Sequence, residues 1–247
     1  MKRLPLFLFL LIALPATMLG QKSKVKADVV ISTSFGDIGI ILYEETPLHR
    51  ANFLKLASEG FYDGTTFHRV MKDFMIQGGD PNSKSEETMN KAGLGGPGYT
   101  VPAEILPGMF HTKGKLCAAR QPDRVNPKLE SSGSQFYLVQ GRTFNEAALA
   151  QQEKQISMVT KKEFHYPEEQ IEIYKTIGGT PWLDGQYTVF GEVVYGLEII
   201  DQIANVKVNP RSNRPDEHVK MTMECKVKVK KAKKKKKKKK KDKNKKK

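Results

Sequence analysis

Short β-rich runs recur along most of this 247-residue chain, and they constrain its fold more than any other feature. The first two, Asp28–Ser34 (DVVISTS) and Ile38–Tyr43 (IGIILY), are separated by Phe35-Gly36-Asp37, which is a hairpin signal. Further strands are predicted over residues 65–71, 74–77, 115–120, 135–139, 189–194 and 219–229. Many short strands with few helices favour an antiparallel barrel or sandwich over a fold built from βαβ units.

Four helices are predicted between these strands. Thr46 is a good N-cap and Pro47 suits the first helical position, so one helix begins there and ends at Gly60. The other helical segments are Asn145–Met158, Glu168–Ile177 and Leu197–Ala204.

The net charge of +15 is concentrated at the carboxyl end of the chain. Residues 230–247 hold fifteen Lys and one Asp, so they carry +14 and the preceding 229 residues carry about +1. This low-complexity segment is predicted to be a disordered poly-Lys tail, because its charges repel one another and it has nothing to bury. The tail is a candidate for contacts with anionic surfaces, whereas the near-neutral remainder has no basic binding face.

The amino-terminal residues have the pattern of a secretory signal. Lys2 and Arg3 precede an apolar run over Leu4–Leu14, and small residues follow, with a cleavage position near Gly20. We therefore predict a signal peptide over residues 1–20, a linker over 21–27 and export to the periplasm or cell envelope. An uncleaved anchor helix is the alternative.

Common catalytic and ligand-binding signatures are missing or lack their context. Gly93–Gly98 (GLGGPG) matches G-x-G-x-x-G, but its polar, proline-containing surroundings favour a surface loop over a dinucleotide site. None of the five His pairs with another His, a Cys or a carboxylate at metal-ligand spacing, so we predict no metal site. No G-x-S-x-G is present, so the commonest hydrolase signature is missing, and we predict no cofactor. Cys117 and Cys225 are interpreted as buried free thiols, although export would permit a disulfide.

The segment of residues 67–80, FHRVMKDFMIQGGD, is the strongest candidate for a site. In a strand, Arg69 shares a face with Phe67 and Met71, whereas His68 points to the opposite face and is interpreted as structural. The alternative is that Arg69 merely pairs with Asp73 or Asp80 at a strand end.

Five motifs occur in order: FHRVMKDFMIQGGD, GLGGPGYTVPAE, GKLCAAR, SSGSQFYL and WLDGQYTVFGEV. Together they resemble the cyclophilin-type peptidyl-prolyl cis-trans isomerases, from about Asp28 to about Cys225. The resemblance implies a domain over 28–229 that forms a closed eight-stranded antiparallel β-barrel capped by two α-helices. The chain departs from compact members by an insertion of roughly thirty residues, which is predicted to be helical, at about 141–180.

The resemblance also implies the site residues. Arg69 matches the catalytic arginine, and Gln77 is expected to orient it. Ala119 and Arg120 match the backbone segment that holds the substrate peptide. The other substrate-binding residues implied are Phe74, Met75, Gln135, Tyr137, Trp182, Leu183 and Tyr187.

The implied function is rotation about X-Pro bonds in proline-containing polypeptides, by a monomer that assists the folding of exported proteins. A cyclosporin-type ligand is implied through Trp182, although Arg120 and Tyr187 depart from common family residues. Two alternatives remain: a holding chaperone that uses the same groove without catalysis, and a protein whose Lys tail is its main functional element.

Overall fold

The computed structural model describes residues 26–227. The predicted signal peptide, most of the predicted linker and the predicted poly-Lys tail lie outside these residues. The nine strands within them are β1 Val29–Thr33, β2 Gly36–Leu42, β3 Arg69–Met71, β4 Met75–Gly78, β5 Thr100–Val101, β6 Lys115–Arg120, β7 Ser131–Val139, β8 Val189–Tyr195 and β9 Met221–Cys225. The helices there are α1 Pro47–Ser58, α2 Glu86–Met89, α3 Glu146–Thr160, α4 Glu168–Thr176 and α5 Leu197–Ala204.

The strands form one antiparallel sheet in the order β3-β4-β7-β6-β8-β2-β1-β9, and β5 adds to β7. The sheet curls through about 223° and stays open, so the prediction of a closed eight-stranded barrel is wrong. Its two edge strands approach only through an isolated bridge between Thr66 and Lys220 and neighbouring backbone hydrogen bonds. Beyond that bridge, the N–H of Val70 in β3 donates to the carbonyl of Asn213 at 2.8 Å, so a loop takes the place of a continuing ladder.

The concave face of the sheet encloses the main hydrophobic core. Inward-facing side chains such as Ile38, Leu116 and Phe136 are fully or almost fully buried, and α1 and α5 pack onto them through residues such as Phe53 and Ile200. Burial of such side chains is worth about 1.5–3 kcal/mol each, which makes this face the main source of stability.

Helix α1 begins at Pro47, as predicted, but Thr46 makes no side-chain cap. The carboxylate of Glu104 accepts the backbone N–H groups of Leu48 and His49 at 3.0 and 2.9 Å instead. A distant loop therefore satisfies the free donors at this helix terminus.

Helices α3 and α4 lie between β7 and β8, where the helical insertion was predicted. They have a small core of their own, formed by Leu149, Ile156, Tyr166 and Tyr174. Within residues 26–227, no helix combines the length and apolar character needed to cross a bilayer.

Candidate active site

A row of side chains crosses the convex face of the sheet, opposite the main core. Arg69 in β3 is paired with Gln77 in β4, Gln77 with Tyr137 in β7, and Tyr137 with Cys117 in β6. Because alternate residues of a strand point to opposite faces, these four side chains point outward. Their adjacent residues within the same strands point into the core: Val70, Ile76, Ala118 and Leu138.

This row forms the base of a pocket of about 340 Å³. Nine residues of the sequence-based set line the pocket: Arg69, Phe74, Met75, Gln77, Ala119, Arg120, Tyr137, Leu183 and Tyr187. Gln135 and Trp182 lie just outside it, Gln135 against Gln77 and Trp182 against the ring of Phe74 at 5.4 Å. Sequence reasoning did not place four other lining residues, Ala92, Gly93, Ser212 and Arg214, and it assigned a fifth, His68, to the opposite face.

Arg69 is a half-buried guanidinium that has no carboxylate partner among residues 26–227. Its Nη1 donates to Oε1 of Gln77 at 3.2 Å, its Nη2 lies 3.1 Å from the sulfur of Met71, and it sits 5.8 Å from the ring centroid of Phe74. Burial lowers the pKa of Arg69, but an arginine begins so far above neutrality that it stays charged. The alternative pairing with Asp73 or Asp80 is therefore wrong.

A polar relay runs from Arg69 into the glycine-rich loop. Gln77 Nε2 donates to Gln135 Oε1 at 3.1 Å, and Gln135 Nε2 donates to Asp80 Oδ2 at 3.2 Å and to the carbonyl of Gly95 at 2.8 Å. Asp80 is fully buried and also accepts the backbone N–H groups of Gly93 and Gly95 at 2.6 and 2.8 Å. The relay fixes the Gln77 amide, which in turn fixes the fork of Arg69.

The glycines that matched G-x-G-x-x-G serve this relay. A Cβ at Gly95 would come within 2.3 Å of Asp80 Oδ1, so the close approach of backbone to carboxylate needs glycine there. Gly93 has a φ of +100°, which also favours glycine. The predicted surface loop is thus a support for the site.

The other end of the pocket is held by Arg120 and Tyr187. The Arg120 guanidinium stacks over the Tyr187 ring at 4.3 Å, its Nε donates to the carbonyl of Gln186 at 3.0 Å, and it pairs with Asp123 at 2.5 Å. The register of β6 against β7 shifts between Ala118 and Arg120, so the ladder is interrupted at Ala119, in the segment expected to hold the substrate backbone.

The apolar part of the pocket consists of Phe74, Met75, Tyr137 and Leu183. The hydroxyl of Tyr137 is buried and has no hydrogen-bond partner among the described residues. Burial raises the pKa of Tyr137, so the ring stays neutral and acts as an apolar wall.

The insertion is attached to the turn that carries Trp182 and Leu183. Asp184 in this turn receives the backbone N–H and the Nδ1 of His111 at 2.7 Å on one oxygen. The hydroxyl of Tyr166 donates to its other oxygen at 2.8 Å, and that of Tyr174 donates to the same oxygen at 2.5 Å. The insertion therefore lies beside the pocket and shares a buried hydrogen-bond cluster with its wall.

Within residues 26–227 no group of three or more His, Cys, Asp or Glu could hold a metal ion. Cys117 and Cys225 are both free thiols, as predicted; Cys117 is fully buried, and burial raises its pKa well above the usual value, whereas Cys225 is half-buried.

The pocket as a whole offers a fixed cationic hydrogen-bond donor beside an apolar hollow on a curved antiparallel sheet. These features define a β protein whose curved sheet carries a surface pocket that combines one fixed cation with an apolar wall.

Comparisons with known proteins identify which class of such proteins this is. The sequence profile of the family described as "Cyclophilin type peptidyl-prolyl cis-trans isomerase/CLD" matches residues 28–227. A Staphylococcus aureus protein named "Putative peptidyl-prolyl cis-trans isomerase" is 35% identical over 195 residues, which cover 77% of this chain and 86% of that protein. A Staphylococcus saprophyticus protein of the same name is 34% identical over 187 residues, which cover 74% of this chain and 83% of that protein.

The fold comparison agrees with the sequence comparison. A Cryptosporidium parvum cyclophilin, solved in the presence of the dipeptide Ala-Pro, matches with a TM-score of 0.56 and 26% identity, covering 81% of this chain and 99% of that one. The chain belongs to the cyclophilin-type peptidyl-prolyl cis-trans isomerase family and is an isomerase of X-Pro peptide bonds.

Proposed function

We propose that Arg69 is the catalytic residue of this isomerase and that Gln77 positions it. The observation that carries the proposal is the guanidinium of Arg69, which has no carboxylate partner among residues 26–227 and is held by Gln77 at 3.2 Å beside the apolar part of the pocket. The proline ring is held by the apolar side chains of Phe74, Met75, Tyr137 and Leu183. The backbone of Ala119 and Arg120, where the ladder between β6 and β7 is interrupted, holds the peptide chain on the other side of the rotating bond.

These groups suffice because the reaction breaks no covalent bond. The trans preference of an X-Pro bond is only about 0.5–1 kcal/mol, but unaided rotation takes tens to hundreds of seconds because the amide loses its resonance on the way. As the amide twists, the lone pair of the prolyl nitrogen localises and becomes a better acceptor. A charged donor placed beside that nitrogen therefore binds the twisted amide more tightly than either planar form, which lowers the barrier.

Arginine suits this task for two reasons. Its guanidinium stays charged at all relevant pH values, and its donors form a rigid planar fork that can reach both the prolyl carbonyl and the prolyl nitrogen. The relay through Gln77 and Gln135 keeps the fork in one orientation, so little rotamer freedom remains to be lost when substrate binds.

The test is the substitution Arg69→Ala in a proline-peptide isomerisation assay. We expect kcat/KM to fall at least about 100-fold, since removal of a single preorganised donor to a developing charge typically costs that much. Arg211→Ala, which removes an exposed guanidinium outside the pocket, is the matched control and should keep parental activity. An Arg69→Ala variant that is folded and as fast as the parent would rule out this role.

For the cellular role, we propose that the enzyme speeds proline-limited folding of exported proteins in the cell envelope. The support is the signal-like pattern of residues 1–20 together with the isomerase activity of the family. Cell fractionation should find the protein outside the cytoplasm, and refolding of a substrate limited by proline isomerisation should accelerate with the parent and not with Arg69→Ala. Equal acceleration by both would favour the holding-chaperone alternative.

A further inference from the structure

A second guanidinium lines the pocket, and the proposed mechanism does not use it. Arg214 lies in the loop between α5 and β9 and shares the pocket with Arg69. Its Nε is buried without a hydrogen-bond partner, and its side chain forms no ion pair with any residue in the range 26–227. An unpartnered buried donor is costly, so its position needs an explanation.

The loop holds Arg214 in place against the edge of the sheet. The N–H of Asn209 donates to the carbonyl of Arg214, and that of Asn213 donates to the carbonyl of Asn209, both at 2.8 Å. Asn213, which has a left-handed φ of 54°, accepts the N–H of Val70 at 2.8 Å. Arg214 therefore follows directly on the residue that docks to β3, the strand that begins with Arg69.

The charges around the pocket do not cancel. The lining includes three arginines and one histidine, but no aspartate or glutamate. The positive charge of Arg120 is balanced by its ion pair with Asp123. Asp80 lies behind the lining with its oxygens occupied by the N–H groups of Asn82, Gly93 and Gly95 and by the amide of Gln135.

His68 adds no charge at neutral pH. Burial, and to a smaller extent Arg214 and Arg69, lower its pKa to about 4, against the opposing effect of Asp80. Two positive charges, on Arg69 and Arg214, thus face the pocket without a counter-ion from the described protein.

We propose that Arg214 is a specificity-determining residue that binds a side-chain carboxylate on a residue flanking the proline, so that the enzyme prefers X-Pro segments with a neighbouring Asp or Glu. This inference rests on the proposed function, in which Arg69 acts on the prolyl amide. Arg69 is then engaged by the peptide group, and Arg214 remains free for the flanking carboxylate. Its guanidinium presents the planar fork that matches a carboxylate.

The experiment measures kcat/KM by NMR exchange spectroscopy on acetylated and amidated Ala-Pro peptides, using the full chain. Glu, Gln or Lys is placed at each of the two positions before and the two positions after the proline, so that only side-chain charge varies. At low ionic strength we expect Glu over Lys to be favoured about tenfold at one or more positions, as for two partly screened unit charges. The ratio should fall to about twofold at ~1 M salt, where the Debye length is about 3 Å.

Three variants assign the preference to Arg214. Arg214→Gln should reduce the Glu-to-Lys ratio to about threefold or less, whereas Arg214→Lys, which keeps the charge, should retain most of it. Arg211→Gln, in the same loop but outside the pocket, should leave the ratio at the parental value. Thermal unfolding of each variant reports whether it is folded.

Equal rates for the Glu and Lys peptides with the parent protein would overturn the inference, and so would an unchanged ratio in folded Arg214→Gln. A preference seen only with a free terminal carboxyl group, measured on otherwise identical non-amidated peptides, would overturn the assignment to a side chain. Failure to isomerise even the Gln peptides would instead contradict the proposed function.

Discussion

At the scale of single residues, His68 shows how one side chain can set the response to acid. It is almost fully buried, and neither ring nitrogen has a hydrogen-bond partner in the described structure. Its pKa is lowered to about 4, first by burial, from the ordinary 6.5 that it regains on unfolding. Between these two values the unfolded chain binds a proton that the folded chain does not.

Stability should therefore fall as the pH drops from about 6.5 to about 4. One pKa unit corresponds to about 1.4 kcal/mol, so His68 accounts for a loss of about 3 kcal/mol over this window. His49, whose pKa is also lowered by burial, acts in the same direction, so the informative quantity is a difference between variants. Urea unfolding at several pH values should show a shallower pH dependence for His68→Gln than for the parent.

The control is His165→Gln, which alters a side chain that is 70% exposed. Its pH dependence should stay close to that of the parent. A His68→Gln variant with the parental slope would show that the imidazole titrates normally in the folded state.

Some site residues could be predicted from the sequence and others could not. Arg69 and Gln77 lie eight positions apart in one motif, and the hairpin register pairs them directly. Arg214 reaches the same pocket from 145 positions away, through a loop that meets β3 by the backbone hydrogen bond between Val70 and Asn213. His68 was assigned to the opposite face because a strand was expected to begin at residue 65, but β3 begins at Arg69 and the alternation rule does not apply before it.

At the scale of elements, pattern and propensity predict those helices and strands whose signals are local. Helix α5 has the predicted bounds, Leu197–Ala204, because its apolar face recurs with a helical period. Strand β7 begins at Ser131, four residues before the predicted start. The prediction began too late because Ser131 and Gly133 have weak strand propensity. Ser131 is stabilised there by a contact from another element, the 2.9 Å hydrogen bond between its hydroxyl and His49 Nε2.

The attachment of the insertion is another contact between elements, and it can be tested by Tyr174→Phe. This change removes one of the two tyrosine hydroxyl groups that bind Oδ2 of the buried Asp184. Loss of a hydrogen bond to a buried polar group should lower the free energy of unfolding by about 1–3 kcal/mol. Chemical denaturation measures this loss.

Tyr195→Phe makes the same chemical change at a ring that is 38% exposed, and it should alter stability by no more than about 0.5 kcal/mol. If both variants lost the same stability, the Asp184 cluster would not anchor the insertion. A further loss in the double variant Tyr166→Phe/Tyr174→Phe that exceeds the sum of the single losses would show that the two hydroxyl groups act together.

At the scale of the whole molecule, the recurring strand pattern predicted a β-rich domain, whereas the closed barrel was an expectation from the family resemblance and the sheet is open. Closure depends on whether the two edge strands can pair along their length, and β3 has only three residues, of which Val70 is already bound by the loop at Asn213. The alternation of apolar and polar residues does not predict such pairing, because it indicates which face of the sheet a side chain lies on and not which edge strands pair.

The segment 230–247 gives a prediction for the molecule as a whole. Because each Lys near an anionic membrane is worth about 1 kcal/mol, its removal should weaken binding to phosphatidylserine-containing vesicles by at least about 100-fold at low salt. Isomerisation of a neutral proline peptide should be unaffected, since every proposed site residue lies in the part of the chain that the structure describes. Vesicle co-sedimentation at several salt concentrations, with neutral phosphatidylcholine vesicles as the control, checks this. Binding that is insensitive to salt, or that survives the truncation, would exclude the tail as an electrostatic tether.

The relay between Arg69 and Asp80 has one further consequence. Its two middle members, Gln77 and Gln135, are carboxamides, which pass on orientation but neither gain nor lose a proton. The buried carboxylate of Asp80 therefore helps to orient Arg69 through these two amides, but it does not pair with the guanidinium and does not neutralise its charge. The positive charge of Arg69 therefore remains available to interact with a bound peptide.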